Sequence, residues 1–272
     1  MIDNPRSPRV RAAAKLSKRG QRAEAGLFLV EGPQAVAEAV HWRPELVREL
    51  FVTQSAEERA SILMRDARAA GIRIDSVSDA VLETIADTVT PQGMVAVCSM
   101  FPSGLDDVLD LRPRLVAVLE EVRDPGNAGT IIRVADAAGV DAVIFTGTSV
   151  DPFNPKSVRA TTGSIFHVPI VVGVELQSTL KRLRDRGLRV LAADISGGDL
   201  LEERAAGGLS GPTAWLFGNE ARGLTDTQLD FADAAVIVPI YGRAESLNLA
   251  TAAAVCLYES AFAQRVQGIS GR

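Results

Sequence analysis

Apolar positions along this chain recur with two different spacings, and their alternation predicts a succession of strands and helices. From residue 26, GLFLVEG reads as a strand ending at a glycine, and PQAVAEAVHW as a helix with Pro33 in its first turn. LVRELFVT, IRIDSV and MVAVCSM are further runs of strand length, separated by the helical patterns AEERASILMRDARAAG and SDAVLETIAD. Residues 26–101 therefore predict a small α/β sandwich. The stretch FPSGLDDVLDLRP that follows is rich in turn residues and reads as a linker.

A second series begins at Leu115. LVAVLEEV, DAVIF, HVPIVV, LRVLAADI, TAWLFG and AAVIVPI are nearly continuous apolar runs. Between them lie the helical patterns NAGTIIRVADAAG, PKSVRATTG and LQSTLKRLRDRG and a short helix from Thr225, and an Ala-rich helix closes the series over residues 248–265. Strands apolar on both faces and separated by helices predict a parallel sheet covered on both sides. The expected fold class is thus α/β, with a front domain over residues 1–101, a linker over 102–113 and a larger parallel-sheet domain over 114–272. In such sheets ligands bind beyond the carboxyl ends of strands. That directs attention to the segments after LVAVL, WLFG and VIVPI.

Composition narrows the setting. The chain has 272 residues, 47% of them hydrophobic and 23% charged, a length suited to two modest domains or one large one. No window approaches the apolar run of about 18 residues that a membrane span needs, and the N-terminus lacks the apolar stretch of a secretory signal. Cys98 and Cys256 each sit in an apolar run without a nearby ligand partner, so both are expected to be buried free thiols in a reducing cytoplasm. No metal-ligand cluster is apparent. The net charge of −5 argues weakly against a nucleic-acid partner. Its distribution argues the other way: the first 25 residues carry seven basic side chains, Arg9, Arg11, Lys15 and Lys18 among them, against two acidic ones. That segment is either a solvated helix or tail, or an arm that grips phosphates.

Three segments carry candidate chemistry. In EEVRDPGNAGTIIRVADAAG, a strand runs through a Pro-Gly turn to Asn127 and Gly129, and the helix they open presents Arg133. Asn127 could simply cap that helix, with Arg133 a surface charge; alternatively Arg133 could grip a phosphate or a reacting hydroxyl. In WLFGNEARGL, Gly218 ends a buried strand and Glu220 follows, either satisfied by neighbouring amides or placed for function. In VIVPIYGRAESLNLATAAAVCLYE, Ser246 and Asn248 precede the last helix, which Ser246 could merely cap. A nucleotide-dependent enzyme acting on small molecules would show a glycine-rich phosphate loop and an acidic residue about 20 positions on. Neither is present.

Taken in order, Asn-x-Gly-x-x-x-Arg, Gly-Asn-Glu-x-x-Gly and Pro-x-x-x-x-x-x-Ser-Leu-Asn-x-Ala resemble the three motifs of the SpoU (TrmH-type) RNA 2′-O-methyltransferases. The resemblance covers residues 114–265. Residues 6–101 look like the smaller RNA-binding domain that often precedes the catalytic one, and VDPFNPKSVRATTGSIFHVPI resembles a segment of the ribosomal RNA-modifying members, which adds Arg159 to the expected RNA contacts. The resemblance implies a parallel-sheet trefoil-knot (SPOUT) methyltransferase domain and a homodimer through the C-terminal helix and knot region. It also implies S-adenosylmethionine as cofactor, held around Gly218, Val238, Ile240, Ser246 and Leu247. Asn127, Arg133, Glu220, Ser246 and Asn248 become the catalytic set, and Arg9, Arg11, Lys15, Lys18 and Arg159 the RNA-binding set. A ribose hydroxyl ionises far above neutrality, so its attack needs a base or a stabiliser of the developing alkoxide. No histidine lies near the motifs: His41 is in the front domain, and His167, which follows a Phe in a strand, is expected to be structural. Arg133, normally always charged, is expected to position the hydroxyl and stabilise its charge. Within this resemblance, a transfer RNA modifier, a resistance methyltransferase and an inactive RNA-binding relative remain alternatives to a 23S ribosomal RNA enzyme.

Overall fold

The structure is a computed structural model and describes residues 1–269, with side chains as far as Arg265. The chain forms two compact units, one of residues 1–101 and 151–167, the other of 102–150 and 168 onward.

The first unit holds a four-stranded sheet. Its strands are β1 (Leu27–Glu31), β2 (Val47–Thr53), β3 (Arg73–Val77) and β4 (Met94–Ser99), in the spatial order β1-β4-β2-β3. β4 runs antiparallel to both β1 and β2, while β2 and β3 are parallel. The helical pattern between β2 and β3 is broken at Ala60 into Gln54–Arg59 and Ser61–Ala69. The basic N-terminal segment folds as two helices, Pro8–Lys15 and Arg19–Ala25. Val10, Ala13 and Leu16 bury one stripe of it in the core with Phe51, Val81 and Val97. Arg22, from the second of these helices, is only 1% exposed. Its Nε and Nη2 donate to Asp151 Oδ2 at 2.9 and 2.6 Å, and its Nη1 donates to the carbonyls of Leu16 and Ser17. A buried guanidinium requires that degree of pairing. Residues 151–167 also supply Phe153 and Phe166 to a ring cluster with Phe28 and Phe101.

The second unit holds six parallel strands: β5 (Leu115–Glu120), β6 (Ala142–Thr146), β7 (Ile170–Val174), β8 (Arg189–Asp199), β9 (Thr213–Phe217) and β10 (Ala234–Ile237). Their spatial order is β10-β8-β9-β5-β6-β7. β5 and β9 are buried along their whole lengths, as their unbroken apolar runs require. β10 stops short of Val238–Ile240, because Pro239 has no N–H for a sheet ladder. Residues 105–110, within the stretch read as a linker, form the helix Leu105–Asp110, which buries Leu105, Val108 and Leu109 in this unit's core. The domain bounds 1–101, 102–113 and 114–272 thus follow breaks in periodicity, whereas the contacts add 102–113 to the second unit and 151–167 to the first. The final helix, Leu249–Ile269, packs on the helix Pro125–Ala138 and on β9, where buried Trp215 donates from Nε1 to Ser260 Oγ at 2.8 Å. No described helix is long and apolar enough to cross a membrane.

Candidate functional site

The chain leaves β5 for β6 on one side of the β5–β9 pair and leaves β9 for β10 on the other, so the loops leaving these two parallel neighbours flank the point where the connections change direction. The loop after β5 begins with Glu121 in a left-handed conformation, φ 52°. It leads into the helix Pro125–Ala138, whose N-cap is Asp124: its Oδ1 accepts the Asn127 N–H at 2.8 Å. Asn127 therefore has no capping duty, and its side chain serves elsewhere.

That side chain links the other two motif loops. Asn127 Nδ2 points to Glu220 Oε1 at 3.4 Å, and Asn127 Oδ1 accepts from Asn248 Nδ2 at 3.0 Å. The Glu220 carboxylate also receives the N–H groups of Arg123, at 3.1 Å, and Asp124, at 2.9 Å. The loop carboxylate is thus satisfied by neighbouring amides and bridged to a second motif at once. Asn248, rather than Ser246, caps the last helix: its Oδ1 accepts from the N–H groups of Ala250 and Thr251 at 2.9 and 3.2 Å. One chain of side-chain hydrogen bonds, Glu220 to Asn127 to Asn248, therefore joins all three segments.

The loop after β9 is a tight turn. Asn219 and Gly223 exchange backbone hydrogen bonds, and Asn219 Nδ2 donates to the Glu121 carbonyl at 2.9 Å. Gly223 takes φ 66°, and a Cβ on Gly218 would stand 2.6 Å from the Gly223 carbonyl carbon. Only glycine allows the two backbone segments to lie that close. Arg222 pairs with Glu121 and ties the tip of the turn to the β5 loop.

Beside this turn lies a cavity of about 360 Å³. It takes in Gly218, Val238, Ile240, Ser246 and Leu247, all five positions expected to hold the cofactor, together with Glu220. Its size is in the range of small-molecule sites. Ile237, Val238, Ile240 and Leu249 give it apolar walls, and Asp194, Asn219 and Glu220 give polar groups at the rim. A flat heteroaromatic ring with a polar, charged tail, as in S-adenosylmethionine, fits that donor set. Asp194 and Ile195 come from β8 and were not among the expected residues; the only sequence signal for them is their place at the end of an apolar strand.

The remaining expected positions are distributed as follows. Arg133 is exposed on the helix that begins beside Asn127, and no hydrogen bond or ion pair among the described residues engages its guanidinium. It does not line the cavity. In the first unit, Arg9 is bound by Glu49 and by Asp75, the latter at 2.6 Å, while Arg11, Lys15 and Lys18 are exposed. Arg159 pairs with Glu31 and Asp87. His167 Nε2 lies 3.2 Å from Glu38 Oε2, and the rings of His41 and His167 both meet Trp42 edge-on. Cys98 and Cys256 are buried free thiols.

Comparison with known proteins identifies the family. Residues 114–258 match the SpoU rRNA Methylase family, and residues 29–103 match the RNA 2′-O ribose methyltransferase substrate binding family. The chain is 34% identical to the 23S rRNA (guanosine(2553)-2′-O)-methyltransferase RlmP of Bacillus subtilis, over 94% of this chain and 97% of that one. An AdoMet-bound rRNA methyltransferase from Sinorhizobium meliloti superposes with a TM-score of 0.81 at 32% identity, covering 95% of this chain and 96% of the other. The SpoU methyltransferase AviRb of Streptomyces viridochromogenes, in complex with AdoMet, gives 0.81 at 31% identity, with 96% and 100% covered. On its motifs, its fold and more than half its length, this chain belongs to the SpoU rRNA Methylase family.

Proposed function

We propose that this protein transfers a methyl group from S-adenosylmethionine to a ribose 2′-hydroxyl of 23S ribosomal RNA. The observation that carries the reading is the hydrogen-bonded link from Glu220 through Asn127 to Asn248, with Glu220 also lining the cavity formed by Gly218, Val238, Ile240, Ser246 and Leu247. Bound in that cavity, S-adenosylmethionine supplies an electrophilic methyl group on a sulfonium, a leaving group that needs no further activation.

The chain's own residues then have to orient one hydroxyl and stabilise the negative charge that develops on it. Arg133, exposed and unengaged, receives the substrate phosphate and the hydroxyl oxygen. Asn127, Glu220 and Asn248 fix the loops on which the helix of Arg133 and the cavity rim are built. Ser246 completes the rim. Arg11, Lys15 and Lys18 present positive charge to the RNA backbone, and Arg9, paired with Glu49 and Asp75, fastens their helix to the sheet.

A homodimer through the C-terminal helix and the knotted segment before it belongs to the same reading. Val255, Tyr258 and the 47%-exposed Phe262 form a partly uncovered apolar stripe on that helix. A ribosomal RNA substrate implies a cytoplasmic enzyme. Arg133→Ala tests the assignment: turnover on ribosomal RNA should fall on the order of 100-fold, about 2.7 kcal/mol, while calorimetry still detects cofactor binding. Near-wild-type turnover in that variant would remove Arg133 from the mechanism. A wild-type protein that binds RNA without transferring methyl would be a non-catalytic relative.

A further inference from the structure

β8 does not run evenly along its neighbours. It pairs with β9 as far as Ala192 opposite Leu216, and with β10 as far as Ala192 opposite Ala235. It meets β10 again only at Gly198 opposite Val236, so residues 193–197 leave the ladder as an unpaired excursion. Two features hold that excursion in shape. Asp194 Oδ1 accepts the Ser196 N–H at 2.9 Å and the Ser196 hydroxyl at 2.7 Å. At the far end, a Cβ on Gly197 would stand 2.3 Å from the Ala235 carbonyl carbon, so only glycine lets the strand return there. Interruptions of this kind re-aim side chains and gather beside active sites. Here the excursion brings Ala193, Asp194 and Ile195 to the wall of the cofactor cavity.

Asp194 differs from the other polar groups at that rim in what it has left to offer. Both Glu220 oxygens already accept, from Arg123, Asp124 and Asn127. The Asn219 amide is spent on the Glu121 carbonyl and on the N–H groups of Ala221 and Arg222. Asp194 commits only Oδ1. No hydrogen bond or ion pair among the described residues engages its Oδ2, which lies beside the turn after β9, 3.6 Å from where a Cβ on Gly223 would stand. A carboxylate oxygen there calls for a donor.

S-adenosylmethionine carries donors in three places: the adenine amino group, the ribose hydroxyls and the ammonium of the methionine tail. Sheet order separates them. Ile237, Val238 and Ile240, from β10 and the segment after it, form the apolar wall that suits the adenine ring. Glu220, in the loop after β9 and bonded to Asn127, marks the reacting end, where the sulfonium has to lie. β8 stands between β10 and β9, as the ribose stands between adenine and sulfonium. Asp194 therefore faces the sugar, whose two adjacent hydroxyls suit a carboxylate. An acidic side chain holds a nucleotide ribose in the same way in dinucleotide-binding sheets.

We infer that Asp194 is a cofactor-specificity residue, its Oδ2 accepting from the ribose hydroxyls of S-adenosylmethionine. The inference rests on the placement of that cofactor in this cavity and adds a contact outside the three motifs.

Calorimetry on the full-length protein tests it, with S-adenosylhomocysteine and its 2′-deoxy, 3′-deoxy and deamino analogues as ligands. Wild type should bind at least one deoxy analogue about 10- to 30-fold more weakly, the loss of a hydrogen bond to a charged acceptor. Asp194→Ala should weaken S-adenosylhomocysteine by a similar factor and no longer distinguish it from that analogue. Asp194→Asn keeps the size of the side chain and an oxygen for Ser196, and should retain about a threefold preference. Ser196→Ala removes a bond to Oδ1 but leaves Oδ2 in place, so the full deoxy penalty should remain. The deamino penalty should be the same in wild type and Asp194→Ala. Equal binding of all ribose variants by wild type, a deoxy penalty undiminished in Asp194→Ala, or a deamino penalty that vanishes there would overturn the inference. A wild-type protein that binds no S-adenosylhomocysteine sinks the cofactor placement itself.

Discussion

Replacing Asn127 and Asn248 by alanine, singly and together, probes whether the three motif loops act as one unit. Asn127→Ala removes the bonds to Asn248 Nδ2 and Glu220 Oε1. Both groups are partly solvated, so each bond is worth about 1 kcal/mol, not the larger value of a buried charged pair. Asn248→Ala removes one of those bonds and the helix cap on Ala250 and Thr251, another ~1 kcal/mol. If catalysis needs the geometry these bonds hold, each single variant loses about 2 kcal/mol, or ~30-fold, in single-turnover methyl transfer. The bond between the two residues is lost only once, so the double variant should lose about 3 kcal/mol, ~150-fold, where independent effects would give ~1000-fold. Asn248→Asp keeps the capping oxygen and discards the donor, so it should cost only about fivefold. Multiplicative losses in the double variant, or an Asn248→Asp as active as wild type, would show that the link between these loops does not matter to the reaction.

Other expectations concern the first unit and the thiols. Charge reversal at Arg11, Lys15 and Lys18 should weaken RNA binding and flatten its salt dependence by about 0.7–0.9 in log–log slope for each phosphate no longer neutralised; filter binding across a salt series measures it. Arg9, helped by Arg73, holds the Asp75 carboxyl below the usual carboxylate range. A depressed folded-state value means this stabilisation is full at neutral pH and is lost as pH falls below about 4 through that value. Melting of Arg9→Met against wild type should therefore show a gap at pH 7 that narrows on acidification. Burial pushes Cys256 up to about 12 and raises Cys98 as well. Iodoacetamide should accordingly leave both thiols unlabelled in the native protein at pH 8 and modify both in urea.

Strand order could not be read from the chain, but strand existence could, since runs such as LVAVLE and TAWLF have no polar position to dilute their signal. Short amphipathic helices were harder. In Leu105–Asp110 the stripe of Leu105, Val108 and Leu109 is a single turn between Gly104 and Pro113, and turn residues hide it. In Pro8–Lys15 the buried Val10 and Ala13 are outnumbered by charges. At the site, motif order brought the cavity positions together, because each motif begins where a strand ends. Division of labour among the polar residues was not legible. That Asp124 and Asn248 do the capping, freeing Asn127 to bridge, depends on side-chain directions that no spacing encodes. Asp194 and Ile195 reach the cavity because β8 lies between β9 and β10, a neighbourhood set by sheet topology.

The excursion of residues 151–167 into the first unit has a consequence for how this protein is made. Asp151 neutralises the buried Arg22, and Phe153 and Phe166 pack on Phe28, so the first unit lacks essential parts until residue 167 has been synthesised. By then β5 and β6 of the second unit already exist. A ribosome emitting this chain cannot complete one unit before starting the other, the order usual for multidomain proteins. A fragment cut at residue 101 would keep nearly all of the stretch that matches the substrate binding family, residues 29–103, yet expose an unpaired guanidinium and an uncovered phenylalanine. Evolutionary exchange of the front unit between relatives would have to move two separate stretches of sequence together.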